Sequence, residues 1–463
     1  MSATGREAAG AGQGIESAAA RTAEEHAAVC RRVLGEALLR ARTRGPERLS
    51  VIDAGLLGRV TAEATASPIP LPPFDNSQMD GYAVRSHDLA EATEARPVEL
   101  RIGIATAAGD APVEHAPGSA SPVMTGAAIP RGADAVVPIE RVLPPEFPAL
   151  ARAGRGEPRG TVAFIAPVPV GEFVRRAGSD LGSGAEILAA GARLTPARIG
   201  ALAAAGIAAV PVLPRVRVLL CSTGDEIVPP GQANGLAPGR IHDANTPMLA
   251  AALRAVSADV RVLRCEDDPA ALRAAISADA PWADLIVTSG GISAGAFEVV
   301  RDALAPLGAE FVKVAMQPGG PQGLGVLVLD ETDGADEADD ADEAGGADET
   351  DGGHRLPALC FPGNPVSAML SAELFLLPAL REYAGLAPER TRERRPLAHD
   401  AVSPEDKLQL RRGTLAPDGR VVLSGPSSHL LSGLAAADVI AEIPLGAGFA
   451  AENTPVTVWR IHD

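Results

Sequence analysis

An α/β fold with β-rich accessory domains is what this sequence predicts, on three observations. Residues 215–388 alternate short apolar runs with stretches of helical periodicity, the pattern of a mostly parallel sheet covered on both faces. Residues 68–167 break into short β-type runs between Gly and Pro clusters, and Leu408 to Asp463 returns to the same alternation. At 463 residues the chain has room for about three domains, and its 49 glycines and 40 prolines fit many turns.

Taken in order, residues 1–24 are rich in Ala, Gly and Ser with no apolar core of a secretory signal, and read as a disordered N-terminus. Ala27–Arg40 sets Val29, Val33, Leu34, Ala37 and Leu38 at helical spacing and Val51–Ala64 repeats the pattern, so two amphipathic helices are expected. The β-rich region holds Val98–Leu100–Ile102–Ile104 and Val162–Phe164–Ile165. Thr195-Pro196 then pairs an N-cap with Pro at the first helical position, opening a helix over Ala197–Ala204. If that helix packs on the first two, residues 68–167 are an insertion, and 25–67 with 168–210 form one discontinuous helical linking domain. Within 211–388 the expected strands are Val216–Cys221, Val260–Arg264, Asp284–Thr288 and Ala358–Phe361. Helices are expected at Thr246–Val256, Pro269–Ala278, Glu298–Leu307 and Val366–Tyr383, and residues 389–463 form the C-terminal β domain.

Net charge is −18, a field that repels polyphosphate backbones, and thirteen aromatic residues are too few for base-stacking platforms, so nucleic acid is not an expected partner. Twelve acidic residues and no basic one fall between Asp330 and Asp351, a block that cannot bury surface and is expected to be solvated and disordered. The acidity of the chain therefore says little about any site. Cys30, Cys221, Cys265 and Cys360 stand far apart without a zinc-like spacing, which fits a reducing cytoplasm. The most apolar window, Ile199–Cys221, is interrupted by Pro211, Pro214, Arg215 and Arg217, so no membrane span is expected.

In open α/β sheets ligands bind beyond the carboxyl ends of the strands. Three such ends run into Ser222-Thr223-Gly224-Asp225-Glu226, Ser289-Gly290-Gly291-Ile292-Ser293-Ala294-Gly295 and Pro362-Gly363-Asn364-Pro365. The middle loop can turn backbone N–H groups inward as an anion nest, and the third opens a helix whose first amides add positive potential. The first brings carboxylates able to hold magnesium. Each loop equally has a purely geometric reading, and Asp225 and Asp268 read equally as caps and as ligands. Neither GxxxxGK[ST] nor GxGxxG follows a strand, which argues against a P-loop or dinucleotide site. The run Pro72-Pro73-Phe74-Asp75-Asn76-Ser77-Gln78-Met79-Asp80-Gly81-Tyr82-Ala83-Val84-Arg85 reads, by residues alone, as a capped turn with Phe74 and Tyr82 as packing anchors.

PPFDNSQMDGYAVR, Thr125–Val137, Arg175–Asp180, STGDE, SGGISAG, MQPGGPQG and PGNP, in this order, resemble the molybdopterin molybdenumtransferase family, and the chain is similar to the gephyrin E domain over residues ~25–463. That resemblance implies an elongated cytoplasmic homodimer with a molybdopterin-binding α/β domain and a small, barrel-like C-terminal domain. It implies insertion of molybdenum from molybdate into adenylylated molybdopterin, with magnesium and release of AMP. It further implies that the domain carrying Asp80 lies against the partner's α/β domain, and that other molybdenum cofactor synthesis proteins are possible partners. The competing readings are a molybdopterin adenylyltransferase, which lacks the DNSQMDGYA region and the C-terminal β domain, and a non-catalytic dimeric scaffold of the gephyrin E type.

By motif, the resemblance assigns catalytic roles to Asp80, Asp180, Glu226, Asp267, Glu298 and Lys313, with Glu226 and Asp267 as metal ligands. Substrate contacts are implied at Thr125, at Ser222 and Gly224, and at Ser289, Gly290, Gly291, Ser293 and Gly295. Others are implied at Pro318 and Gly319, at Gly363, Asn364 and Pro365, and at Arg412 and Ser428. Glu298 stands where the family usually has Asp, and no lysine occurs at Gln317 or near Gly320, where members carry one. Lys313 gains weight because the chain has only two lysines, Lys313 and Lys407, against 39 arginines.

Replacing Asp330–Asp351 with a short Gly/Ser linker is expected to leave both the melting temperature and activity nearly unchanged, because a block that buries nothing contributes little to either. A clear loss of either would show that the segment docks.

Overall fold

The computed structural model describes residues 20–147, 159–231, 236–293, 298–329 and 354–461. Residues 1–19 of the expected disordered N-terminus, the acidic block and Gly295 therefore lie outside the described residues, whereas residues 20–24 are ordered against expectation, with Arg21 bridged to Val314 and Thr22 capping the helix that starts at Ala23. The chain divides into two compact units, one of residues 48–212 and one joining 1–47 to 213–463.

The first unit is built on a six-stranded sheet in the order 135–138, 81–84, 119–123, 98–102, 161–164, 142–143. One face buries Tyr82, Leu100, Ile102 and Phe164. Gly81 is obligatory there, since a Cβ would stand 2.2 Å from the Val137 carbonyl oxygen. Tyr82 is the anchor the sequence suggested, whereas Phe74 is 44% exposed and anchors nothing. A smaller core gathers Leu56, Leu188, Leu194, Leu202, Val210 and Val212 around the helix Pro196–Ala204, capped by the Thr195 hydroxyl as expected. The helix expected over Val51–Ala64 does not form. Asp53 accepts from the Gly55 amide and starts a single 3-10 turn, Ala54–Leu56. Gly58 then takes φ +76, which a helix cannot continue through.

In the second unit, the sheet runs 259–265, 217–223, 285–289, 354–361, 321–329, 309–313. Neighbours among the first four pair in parallel, whereas 321–329 pairs antiparallel with both 354–361 and 309–313. Register aligns their ends: Ser222 lies opposite Ser289, and Ser289 opposite Phe361. The loops after these strands therefore leave at one level, on one edge.

The helix Ala23–Thr43, with a Thr22/Glu25 capping box, packs in this unit, burying Cys30, Leu34, Ala37 and Ala41 in one core with Val218, Leu253 and Leu359. Each such leucine contributes about 1.5–3 kcal/mol by leaving water. This placement differs from the expectation of a helix shared with Pro196–Ala204, and its reason is the apolar stripe itself, which matches the sheet face. Another departure is the helix expected over Val366–Tyr383. It forms as Pro365–Ser371 and Leu377–Tyr383 around a π turn at Ala372–Leu376, because Pro378 has no N–H to give the turn before it. The C-terminal sheet orders 316–317, 408–415, 439–443, 455–460, 392–396, with 421–423 paired to 408–415. Its edge strand Met316–Gln317 comes from the α/β segment, which neither periodicity nor length could announce. Among the described residues no helix is long and apolar enough to cross a membrane.

His26 is 1% exposed, sits edge-on to the Phe375 ring at 4.7 Å, and has no partner at Nδ1. Burial, with the nearby Arg21 charge, pushes its pKa down to about 4 from 6.5. The unfolded chain thus binds a proton that the folded one refuses, so this residue's stabilising neutrality is complete above pH ~6.5 and is lost as pH falls toward ~4. His26→Leu is expected to flatten the acid limb of stability by about 2–3 kcal/mol between those limits. Urea titrations at pH 7 and pH 4.5 read this, and identical acid slopes in both proteins would refute it.

Candidate active site

Beyond the aligned strand ends of the second unit lies a cavity of about 1010 Å³. It collects the loops expected to carry chemistry. Gly224 and Glu226 line it from the first loop, Asp267 from the neighbouring strand end, and Ser289, Gly290, Gly291 and Ser293 from the middle loop. Glu298 and Lys313 line it as well, with Pro318 and Gly319 beside them, and Gly363, Asn364, Pro365 and Ser428 complete its far side.

Local chemistry explains why each loop has its sequence. Gly224 adopts φ +134, and a Cβ there would meet Glu226 Oε2 at 2.8 Å, so the Glu226 carboxylate occupies space that only glycine leaves open. The amide of Asp225 donates to Asp267 Oδ2 at 3.1 Å and that of Asp267 to Asp225 Oδ1 at 3.3 Å, clasping two adjacent strand ends. Asp268 turns out to be a cap, accepting from the Ala270 and Ala271 amides.

In the middle loop, Gly290 and Gly291 take φ +99 and +61. The Gly290 amide donates to the Phe361 carbonyl and the Ser293 amide to Glu298 Oε2, at 3.0 and 2.8 Å. Those two amides are committed within the protein, which narrows the nest that the glycines suggested and shows Glu298 bracing the loop. Gly290 and Gly363 touch, since a Cβ on Gly363 would lie 3.4 Å from the Gly290 Cα. Across the cavity, Gln322 Nε2 donates to the Gly319 carbonyl and to Ser371 Oγ, both at 2.7 Å, which props the loop after Lys313. Asn364 Nδ2 donates to Ser428 Oγ at 3.0 Å and ties the third loop to the C-terminal β region.

Several expected residues stand elsewhere. Ser222 is 5% exposed within its strand, and Thr223 takes its place on the cavity wall. Arg412 is buried by its packing and does not line the cavity. Its guanidinium donates to the carbonyls of Leu430 (2.9 Å) and Gly425 and holds the loop bearing Ser428 in place. Asp80, Thr125 and Asp180 belong to the other unit. There the Thr125 amide and hydroxyl both donate to Asp80 Oδ1, at 2.6 and 2.8 Å, while Asp180 stands exposed in the turn whose amide donates to the Leu71 carbonyl.

Sequence reasoning missed Asn245, Asp243 and Lys407, all of which line the cavity. Asn245 Nδ2 donates to Ser289 Oγ and to the Gly363 carbonyl, both at 2.7 Å. The carbonyl can only accept, so the amide nitrogen must face it. The available signal was the polar run Asp243-Ala244-Asn245-Thr246-Pro247 at a helix start, where Asp243 Oδ1 accepts from the Thr246 amide.

A polar cavity at the carboxyl edge of a mostly parallel sheet, walled by lysine and carboxylate, defines an α/β binding domain for an anionic ligand. Comparison with known proteins gives that class its family. The MoeA N-terminal region (domain I and II) matches residues 18–206, the probable molybdopterin binding domain 220–382, and the MoeA C-terminal region (domain IV) 394–461. Molybdopterin molybdenumtransferase 2 of Mycobacterium tuberculosis is 39% identical over 416 residues, covering 87% of this chain and 93% of its own. Molybdopterin molybdenumtransferase of Synechococcus elongatus is 35% identical, covering 89% and 94%. The crystal structure of a molybdopterin biosynthesis MoeA protein from Pyrococcus horikosii superposes with a TM-score of 0.71 at 28% identity, over 93% of this chain and 99% of that one. The chain belongs to the molybdopterin molybdenumtransferase, or MoeA, family.

Asn245→Ala is expected to cost about 1–3 kcal/mol in denaturant unfolding, because it strands a buried carbonyl and hydroxyl. Asn245→Asp, of the same shape but unable to donate when ionised, is expected to be no better. Wild-type stability in the Asp variant would show that the amide does not hold these loops.

Proposed function

We propose that this protein is a molybdopterin molybdenumtransferase that binds adenylylated molybdopterin and molybdate in this cavity, inserts molybdenum at the dithiolene and releases AMP. The observation that carries the reading is the convergence of Glu226, Asp267, Glu298 and Lys313 on one cavity with the Gly-rich and PGNP loops, in a chain of this family. Releasing AMP breaks a phosphoanhydride by attack of water at phosphorus. Catalysis of that step rests on placing charges and the water in line, with little covalent work for the protein. Lys313 offsets phosphate charge, and Glu226, seated over Gly224, orients the water and takes its proton.

The donor set also suits magnesium. Glu226 and Asp267 offer hard oxygen ligands from adjacent loops, the donor type magnesium takes alongside substrate oxygens and water. These two carboxylates would hold it, and it would neutralise phosphate charge. Asp80 and Asp180 enter the reading as acidic residues of the other unit's motifs, with Thr125 orienting Asp80. The reading also includes a cytoplasmic homodimer that works alongside other cofactor synthesis proteins. Its finer domain division keeps an inserted β domain at 68–167 and a C-terminal β domain at 389–463.

Molybdate-dependent AMP release by the purified protein tests the activity, and its absence under conditions that support a family relative would overturn it. Glu226→Gln is expected to fold and to lower turnover by about 10² or more. Unimpaired AMP release from the folded variant would remove Glu226 from the mechanism.

A further inference from the structure

We infer that Arg411, which does not line the cavity, is a positioning residue for it: through Gln409 it sets which way the side-chain amide of Gln317 faces, so that Gln317 offers the cavity a donor. This deepens the function proposed above and rests on it. Gln317 lines the cavity, whereas Gln409 and Arg411 are buried behind it, 3% and 9% exposed.

Strand geometry puts the three side chains in a row. Gln409 lies opposite Gln317 in the parallel pairing of 316–317 with 408–415, and Arg411, two residues on, shares its face of the strand. Gln409 Nε2 donates to Gln317 Oε1 at 2.8 Å, and Arg411 Nη1 donates to Gln409 Oε1 at 3.4 Å. The direction of this chain is decided at its buried end. A guanidinium can only donate, so Gln409 must turn its oxygen toward it and its NH2 toward Gln317. Gln317 then accepts on Oε1, and its Nε2, which has no protein partner among the described residues, keeps both N–H groups for the cavity.

Burying an arginine here is costly. Arg411 has no carboxylate partner among the described residues, and burial, with the Arg412 charge beside it, pushes its pKa down from the usual arginine value. Its Nε and Nη2 both donate to the Ser424 carbonyl, at 3.0 and 2.5 Å. One planar fork therefore holds the start of the segment that carries Pro426, Ser427 and Ser428 to the cavity wall and, with its remaining arm, directs Gln409. A neutral amide at this position would still hold a carbonyl, but it would let Gln409 face either way.

Gln409→Glu tests the direction without emptying the site. Its carboxylate still accepts from Arg411 and cannot donate, so Gln317 must turn its NH2 toward it and show the cavity an acceptor. The melting temperature is expected to hold, while KM for the adenylylated substrate in molybdate-dependent AMP release rises about tenfold and kcat stays within about threefold of wild type. Gln409→Glu/Gln317→Lys, whose ammonium donates to both sides, is expected to restore KM. Arg411→Gln serves as a second single variant and is expected to raise KM severalfold, with Arg411→Lys, again only a donor, closer to wild type. Wild-type KM in the folded Gln409→Glu and Arg411→Gln proteins, or a rise that the double variant does not reverse, would overturn the inference while leaving the proposed function standing. Side-chain amide NMR of 15N-glutamine-labelled protein reads the same turn without activity, in a chain of six glutamines. The Gln317 NH2, assigned by its loss in Gln317→Lys, is expected to exchange with water severalfold more slowly in Gln409→Glu than in wild type. Equal exchange would overturn the inference too, and a wild type that releases no AMP would overturn the proposed function and leave this exchange to decide the role of Arg411.

Discussion

Two strand-end loops meet here at glycines, and at Gly290 the backbone conformation itself calls for one. Gly290 and Gly363 follow adjacent parallel strands; Gly290 takes φ +99, and a Cβ on Gly363 would stand in contact with the Gly290 Cα at 3.4 Å. That proximity is held by one side chain, Asn245, which donates to Ser289 on one loop and to the Gly363 carbonyl on the other. The rest of the cavity depends on this pair. Asn364, one residue beyond Gly363, reaches Ser428, so the glycine contact also sets where the C-terminal β region closes the far side. Arg412 fastens the backbone on either side of Ser428 through the carbonyls of Gly425 and Leu430. A chain of short hydrogen bonds thus runs from a helix start through two loops to a second sheet.

Electrostatics in this chain is local. The charge of −18 is dominated by residues between Asp330 and Asp351, while the cavity is lined by the carboxylates of Glu226, Asp243, Asp267 and Glu298 and by two lysines. Arginine performs the structural pairing elsewhere: Arg381 and Arg390 both bind the buried Glu373, at 2.6 and 2.8 Å. Planar forks serve fixed carboxylates, whereas both lysines of the chain line the cavity.

What the sequence made legible was whatever is encoded within a few residues. The strands ending in STGDE, SGGIS and PGNP, the Thr195 cap and the helix after Asp268 all rest on local spacing, and all formed. The false helix over Val51–Ala64 had the right apolar period, but Asp53 and Gly58 imposed a turn, so local chemistry overrode pattern. Asn245 and Lys407 were invisible for the opposite reason. Their partners lie 44 to 118 residues away for Asn245, and across a parallel strand pairing for the segment that Lys407 opens, so only tertiary structure gives them meaning. Arg412 was legible as a residue, but the carbonyls its guanidinium holds, on Leu430 and Gly425, were not, because motif matching does not register partners.

The carboxylates show how position becomes role. Asp267 accepts the Asp225 amide on Oδ2, Asp80 accepts twice from Thr125 on Oδ1, and Glu298 accepts the Ser293 amide on Oε2. A backbone or hydroxyl donor on one oxygen fixes the plane of a carboxylate without exhausting its acceptor sites. Glu226 is oriented differently, by space: its carboxylate rests over Gly224, where any larger residue would collide with it. An acid steered by packing keeps more rotational freedom than one clasped by an amide. Within the cavity, the carboxylates of Asp267 and Glu298 are thus each held by a backbone amide, and that of Glu226 is placed by the space above Gly224.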